Sequence, residues 1–361
     1  SFIDKRASVL AKGLKQDITF ETKIIENERV LINDQFIGTL KGLKMDLDLK
    51  IGALDADIKS LKKAARQNVA PEILNRINLI LKCNNFELNE DFKIYWNKYP
   101  IAKLSPGKDY LNPEIELIID DMIEFTEQKD LKDYLVKWLS NKITIELDSL
   151  FKLKSIKESN SLVRALSYQL YENYGVVKRE KVVSLVKKLT QEDRKSLRDI
   201  GVKFGRYHIF LFKLFKPKQV SLRVLLWKNF KQINLSLKPP TFGLNFTDNS
   251  KFENKDFMLL CGFEKFDRFF VRIDILERLF IHIIKNNLEN NQEVKLVPEM
   301  LNLLGCNKEN FVKLIKNMNY KPFEKNNETY FKYDPRKINY RQKNKFNSDN
   351  PFNVLNQINF D

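Results

Sequence analysis

The chain has 361 residues, and its 43% hydrophobic and 30% charged content is that of a globular protein with room for two or three cores. No apolar run approaches the roughly 20 residues that cross a bilayer, which excludes a membrane-spanning protein. Three isolated cysteines and two histidines offer no structural zinc site, and free thiols favour a reducing, cytoplasmic setting.

The formal net charge of +16 is concentrated in the C-terminal part of the chain. Residues 1–150 contain 23 Lys and Arg against 25 Asp and Glu, whereas residues 151–361 contain 40 against 22. Residues 178–238 alone contain 17 basic and 4 acidic residues. Such an excess predicts a polyanionic partner, although a solvated basic face would give the same composition.

Residues 1–150 have the pattern of a hairpin followed by a helix, made twice. VLINDQFIGTLKG (residues 30–42) and IYWNKYPIAKLSPG (residues 94–107) align 64 residues apart. Strand-like residues flank the turn-forming sequences ND and NKYP, so each segment predicts a hairpin.

Apolar residues at spacings of three and four predict the helices that follow these hairpins. In the first helical stretch Pro71 is expected near a helix N-terminus, and in the second the predicted helix includes residues 115–123. Asp120 and Asp121 are neighbours that face different directions on a helix, so we expect solvated charges at both positions.

Residues 151–230 are predicted to be helical throughout and strongly basic. Thr190 and Asp193 have capping-box spacing, and Gly201 is placed to end that helix. The following stretch, GVKFGRYHIFLFKLFKPKQVSLRVLLWKNF (residues 201–230), mixes cations with aromatic rings. Rings at helical spacing favour a core over a ligand platform, which leaves the cations as the groups that need a partner.

Pro239, Pro240 and a polar run predict a linker over residues 231–257. Residues 258–335 have the element order of a winged helix: helix, short strand, helix, helix and hairpin. Asn307 is expected to cap the third helix. Lys308, Lys313 and Lys316 would then project from it toward either nucleic acid or a protein.

The tail, residues 336–361, begins with cations and no acid and is expected to be disordered in isolation. It ends in NPFNVLNQINF, an apolar motif that could dock on the body of the chain or on a protein partner. The sequence therefore predicts an α+β, predominantly helical fold with two hairpin–helix units, a basic helical region and a C-terminal winged-helix-like module.

The middle region resembles the C-terminal region of bacterial DExH-type superfamily 2 helicases related to the mitochondrial RNA degradosome helicase. The family pattern GVRFGR...VFLP.LLKP....LRALLW is similar to residues 201–227, with Phe212 where the family more often has Pro. Segments such as NVAPEILNRI, AKLSPGKDYLNPEIEL, RIDILERL, LVPEMLNLLGC and NPFNVL extend the resemblance over nearly the whole chain.

A helicase motor needs a phosphate loop ending in Gly-Lys-Ser or Gly-Lys-Thr, and the 361 residues contain none. The resemblance therefore implies an ATPase motor before Ser1, in cis, with ATP and Mg²⁺ bound there and no cofactor in this chain. It implies a region that guides single-stranded or partly duplex RNA or DNA. No catalytic residue and no metal ligand is predicted.

The candidate nucleic-acid-binding residues are cations, with Tyr207 or His208 as possible stacking groups. They are Lys203, Arg206, Tyr207, His208, Lys213, Lys216, Lys218, Arg223, Lys308, Lys313, Lys316, Arg336, Arg341, Lys343 and Lys345. Two alternatives stay open: a sequence-specific duplex DNA binder that uses the winged helix, and a protein-interaction scaffold that uses the repeated hairpins and the terminal apolar motif.

Overall fold

The computed structural model describes residues 22–25, 28–32, 35–47, 55–156, 160–233, 237–248, 254–289 and 293–334. These residues form helices and several small antiparallel sheets. Within them, no helix has the length and apolar character needed to cross a bilayer. The chain divides into two compact units, Ser1–Glu277 and Arg278–Asp361.

The first unit begins with a four-stranded antiparallel sheet in which strands pair in chain order. The strands are β1 (Thr22–Ile25), β2 (Arg29–Ile32), β3 (Gln35–Lys41) and β4 (Lys44–Leu47). A register shift lies between Val30 and Leu31, and the predicted ND turn lies outside the described residues. Helix α1 (Asp55–Leu81) follows with Pro71 inside it, so the prediction that Pro71 lies near a helix N-terminus is wrong.

A second four-stranded sheet with the same sequential order follows α1. Its strands are β5 (Phe86–Leu88), β6 (Lys93–Trp96), β7 (Tyr99–Ser105) and β8 (Glu114–Leu117), and helix α2 (Phe125–Glu146) comes next. Its register shift lies between Ile94 and Tyr95. Ile115 is a core-facing strand residue, so the predicted helix over 115–123 is wrong: Ile115 and Leu117 alternate with glutamates, which is strand periodicity.

A short bridge between Leu43 and Ile119 links the two sheets. The next backbone N–H, that of Asp120, donates to the Leu43 carbonyl at 3.0 Å. The Asp120 carboxylate is 3% exposed and lies 3.4 Å from Arg66. The prediction of a solvated Asp120 is therefore wrong, because this residue closes the junction between the sheets and its charge is compensated by Arg66.

Residues 148–231 contain five helices and a three-stranded sheet. The helices are α3 (Asp148–Lys154), α4 (Ser161–Glu172), α5 (Val183–Lys188), α6 (Gln191–Ile200) and α7 (Pro217–Lys231). The strands are β9 (Val176–Lys178), β10 (Val202–Phe204) and β11 (His208–Leu211), in sheet order β10-β11-β9. The all-helical prediction for this region is wrong, since glycines bound short runs of β-branched and aromatic residues here.

The ends of α6 match their sequence signals. Thr190 and Asp193 form the predicted capping box, and Gly201 ends the helix with a φ of 106°, a left-handed value that glycine adopts without steric cost.

The segment predicted to be a linker contains regular secondary structure in its C-terminal half. Strand β12 (Phe246–Asp248) pairs with the hairpin β13 (Phe263–Phe266) and β14 (Phe269–Arg272), and helix α8 (Lys255–Leu260) precedes that hairpin. Buried Phe257 and Phe270 pack with Trp227 of α7. Residues 246–272 therefore belong to the first unit, and the division between units falls inside helix α9 (Ile273–Glu289) rather than at residue 258.

After α9, the described residues of the second unit, up to 334, form two helices and a three-stranded sheet of order β15-β17-β16. Its elements are β15 (Glu293–Lys295), α10 (Pro298–Leu304), α11 (Lys308–Asn317), β16 (Tyr320–Lys325) and β17 (Glu328–Tyr333). Asn307 caps α11 by accepting from the Asn310 N–H at 2.8 Å, as predicted. Phe311 and Phe331 meet edge to face in its interior.

Candidate nucleic-acid interface

Five predicted cations of the segment 201–231 are exposed. Lys203 is on β10, Arg206 is in the turn before β11, Lys213 is in a 3₁₀ turn, and Lys216 and Lys218 are at the start of α7. Lys213 lies 3.8 Å from Asp148, at the edge of ion-pair range. These side chains could contact phosphates without rearrangement of the backbone.

The aromatic rings of the same segment are mainly internal. Phe210 and Trp227 are buried, and Phe210 stacks on Phe215 with ring centroids 5.3 Å apart. Phe204 and Tyr207 are half-buried. The segment thus combines a core of rings with a surface of cations.

Arg223 is an exception, and its prediction as a phosphate ligand is wrong. Its side chain is fully buried in α7, where Nη1 donates to the Tyr174 carbonyl at 2.8 Å and Nη2 donates to the Leu214 carbonyl at 2.7 Å. Burial lowers the pKa of the guanidinium to about 10, which leaves it charged at neutral pH. Arg223 therefore ties α7 to two loops.

His208 is also buried, so its prediction as a base-stacking group is wrong. Its Nε2 lies 2.9 Å from Glu264 Oε2, and its Nδ1 lies 3.7 Å from Glu277 Oε1. Burial lowers the pKa of His208, but the two carboxylates outweigh burial and raise it above its ordinary value. Glu264 is buried too, and the cations His208 and Lys178, the latter at 2.8 Å, hold its pKa below its ordinary value despite that burial.

The turn that carries Arg206 is held by a single carboxylate. Glu277 accepts hydrogen bonds from the backbone N–H groups of Arg206 at 2.5 Å, Tyr207 at 2.9 Å and His208 at 2.9 Å. On the other side of the turn, Arg179 Nη1 donates to the Gly205 carbonyl at 2.6 Å. Consecutive N–H groups of this kind form an anion-binding nest, and the protein fills it with its own side chain.

Gly205 is required by the same carboxylate. A Cβ atom at this position would lie 2.3 Å from the Glu277 Cδ atom. The glycine at position 205 is therefore explained by Glu277, a residue 71 positions later than Arg206.

A groove of about 550 Å³ lies beside α7. Its walls are the loop before β6, the C-terminal end of α2 and residues 238–242. Pro239, Pro240 and Phe242 line this groove, and Phe242 is 53% exposed. Four lysines and two glutamates line it as well: Lys142, Lys218, Lys228, Lys238, Glu90 and Glu146. This is the cavity in which the basic segment and an exposed ring meet.

Lys228 differs from the other lysines of this groove. The residue as a whole is 7% exposed, its ammonium keeps contact with solvent in the groove, and the described residues offer that ammonium no hydrogen-bond or ion-pair partner. Burial lowers the pKa of Lys228, because an unpaired ammonium is costly to remove from water.

Two groove residues were missed in the sequence for different reasons. Lys228 lies in the basic segment but is one of many similar cations, and Phe242 lies in the predicted linker. The available sequence signal for Phe242 was the pair Pro239-Pro240, because two consecutive prolines stiffen the backbone shortly before this exposed ring.

In the second unit, two of the three predicted α11 cations are paired. Lys308 lies 3.8 Å from Glu324, and Lys313 pairs with Glu309 one turn away. Lys316 is exposed. The predicted tail ligands Arg336, Arg341, Lys343 and Lys345 lie outside the described residues.

Among the described residues, no group of three His, Cys, Asp or Glu side chains could hold a metal ion. Comparisons with protein-family models, with curated proteins and with solved structures found no match to this chain.

Proposed function

We propose that this chain binds single-stranded or partly duplex RNA or DNA, as the C-terminal guiding region of an ATP-dependent helicase in the cytoplasm. One observation carries the proposal: Lys203, Lys213 and Lys216 are exposed while the rings between them are buried or half-buried. Such a surface attracts phosphates and has few competing acids, because residues 178–238 contain only 4.

The helicase assignment is supported by the motif resemblance of residues 201–227. In this proposal the motor domains lie in cis before Ser1 and bind ATP and Mg²⁺, while this chain positions the strand. The terminal apolar motif would recruit a protein partner.

We also propose that the two four-stranded sheets are copies of one unit and that the second unit is a winged helix. Register shifts at Val30/Leu31 and Ile94/Tyr95 are 64 residues apart, the same offset as the sequence repeat. Strand β15 beside the β16–β17 hairpin gives the sheet that a winged helix requires.

The test is a titration of labelled single-stranded and duplex RNA and DNA across a salt series. The variant Lys203→Ala/Lys213→Ala/Lys216→Ala should lower the steepness of log affinity against log salt by about 2, since each lost phosphate contact with a single strand removes about 0.7.

A matched control removes three exposed lysines from the acidic N-terminal part: Lys82→Ala/Lys98→Ala/Lys132→Ala. It should keep the parent slope. The proposal is wrong if the parent does not bind near physiological salt, or if both triple variants lose the same affinity. Preference for one duplex sequence would instead support the sequence-specific binder.

A further inference from the structure

We propose that the groove beside α7 is a binding site for one nucleotide unit of a single strand, whose phosphate contacts Lys228 and whose base stacks on Phe242. This inference rests on the proposed function and assigns it a specific site. Neither residue belongs to the surface of Lys203, Lys213 and Lys216, so the two can be tested separately.

The charge of the groove favours an anion. Four lysines line it against two glutamates, and one of these, Glu146, already accepts a hydrogen bond from Gln219 Nε2 at 2.9 Å. Lys228 is nearly buried and has no partner among the described residues, although buried charges in proteins are ordinarily paired. Glu90, which also lines the groove, acts on Lys228 through longer-range electrostatics, and a bound phosphate would add a counter-charge in direct contact with the ammonium.

The ring favours a base. Phe242 is 53% exposed at the edge of the groove, and the segment that leads to it is stiffened by Pro239 and Pro240. An exposed aromatic ring beside cations is the combination by which proteins bind single strands without reading their sequence. The bases of a duplex are already stacked, which argues for a single strand as the occupant.

The volume is consistent with this occupant. Small-molecule sites range over roughly 300–1,000 Å³, and this groove has about 550 Å³. Lys218, in the first turn of α7, lines the groove and lies two residues after the exposed Lys216 in the chain. A strand leaving the groove past Lys218 would therefore reach the proposed phosphate-binding surface.

The experiment uses the full chain and two labelled probes near 0.15 M salt: a 12-nucleotide oligouridylate and an abasic 12-mer with the same phosphates. Phe242→Ala should weaken oligouridylate binding roughly tenfold and leave abasic binding unchanged, because stacking on one ring supplies a factor of this order. Lys228→Met should weaken both probes and lower the salt slope by about 0.7.

Matched controls are Phe125→Ala, at another exposed ring, and Lys231→Met, at an exposed cation on the same helix. Both should bind like the parent. Phe242 is at the surface, so its variant remains informative if Lys228→Met does not fold.

The outcomes separate the two proposals. A parent that binds neither probe contradicts the proposed function and this site with it. A parent that binds normally while Phe242→Ala and Lys228→Met match their controls overturns the groove alone. Equal losses of oligouridylate and abasic binding in Phe242→Ala also overturn it, since the ring would then not recognise a base. Stronger competition by a polyglutamate 12-mer than by unlabelled oligouridylate would assign the groove to an acidic peptide instead.

Discussion

Arg223 and Lys228 lie five residues apart on α7, and both are buried cations. The Arg223 guanidinium has two backbone carbonyls as partners, whereas the Lys228 ammonium has none among the described residues. A buried polar group with partners supports the fold, and one without partners weakens it. The first is therefore a structural residue, and the second is the residue to examine for ligand binding.

Replacement of these two cations by Met should lower the free energy of unfolding for Arg223 but not for Lys228. Arg223→Met leaves the Tyr174 and Leu214 carbonyls without donors and should lower the free energy of unfolding by about 3 kcal/mol. Lys228→Met removes a desolvated charge and should leave the free energy unchanged or raise it. Denaturant titrations followed by tryptophan fluorescence measure both. Equal destabilisation by the two changes would show that Lys228 also supports the fold.

The turn between β10 and β11 shows how a distant residue determines a local motif. Three backbone N–H groups of this turn share the Glu277 carboxylate, and Gly205 leaves the space that the carboxylate occupies. The turn and the start of α9 therefore form one structural feature.

Gly205→Ala should lower the free energy of unfolding by about 2 kcal/mol, because the added methyl group displaces Glu277 from its three donors. In a Glu277→Ala background the same change should cost little, since no carboxylate remains to be displaced. A double-mutant cycle in denaturant measures the difference. If Gly205→Ala costs the same in both backgrounds, Glu277 is not the reason for the glycine.

Elements with strong local signals were predicted from the sequence. The capping box and terminal glycine of α6, the Asn307 cap of α11 and the final hairpin all follow from residues close to one another in the chain. Strand β8 was missed although Ile115 and Leu117 alternate with glutamates, and β9 to β11 were missed because runs of three or four residues fit a helix and a strand equally well. Their pairing decides the matter: β8 pairs with the preceding β7 and β10 with the following β11, whereas β9 pairs with β11 across the intervening helices.

The candidate site was predictable only in its exposed cations. The burial of Arg223 and His208 depends on the Tyr174 and Leu214 carbonyls and on Glu264 and Glu277. Neither the spacing of apolar residues nor the amino-acid composition predicts these contacts. The sequence of a dense basic segment therefore does not show whether a given cation is exposed to a phosphate or is buried against a backbone carbonyl.

Within the first unit, the two N-terminal sheets and the basic middle region share one apolar core. Leu40, Ile94, Leu135, Leu166 and Ile209 belong to a single buried cluster. The described residues of 1–150 and of 151–230 therefore share this core, although the charges of the two regions differ. All three tryptophans also lie in this unit, so their fluorescence reports its unfolding.

The pH dependence of this unit should reflect His208 and Glu264. The raised pKa of His208 stabilises the fold below its unfolded value of 6.5, and this contribution is lost as the pH rises through the folded pKa. The lowered pKa of Glu264 stabilises the fold above 4.5, and this contribution is lost as the pH falls. Both contributions are present between those two values.

His208→Asn should therefore cost most stability near pH 5.5 and progressively less toward pH 9. Denaturant midpoints measured at several pH values test this, with His282→Asn at the exposed second histidine as the control. A difference between parent and His208→Asn that does not change with pH would show that the imidazole contributes by packing rather than by charge.

The three hydrogen bonds accepted by Glu277 should affect how much backbone entropy the turn that carries Arg206 loses when a strand binds. Backbone amides in a surface turn ordinarily exchange their hydrogens with water quickly, but these three are bonded to a carboxylate. We expect slow exchange at residues 206–208. The arginine would then stand on a rigid base, and a strand that meets it would lose little backbone entropy on binding.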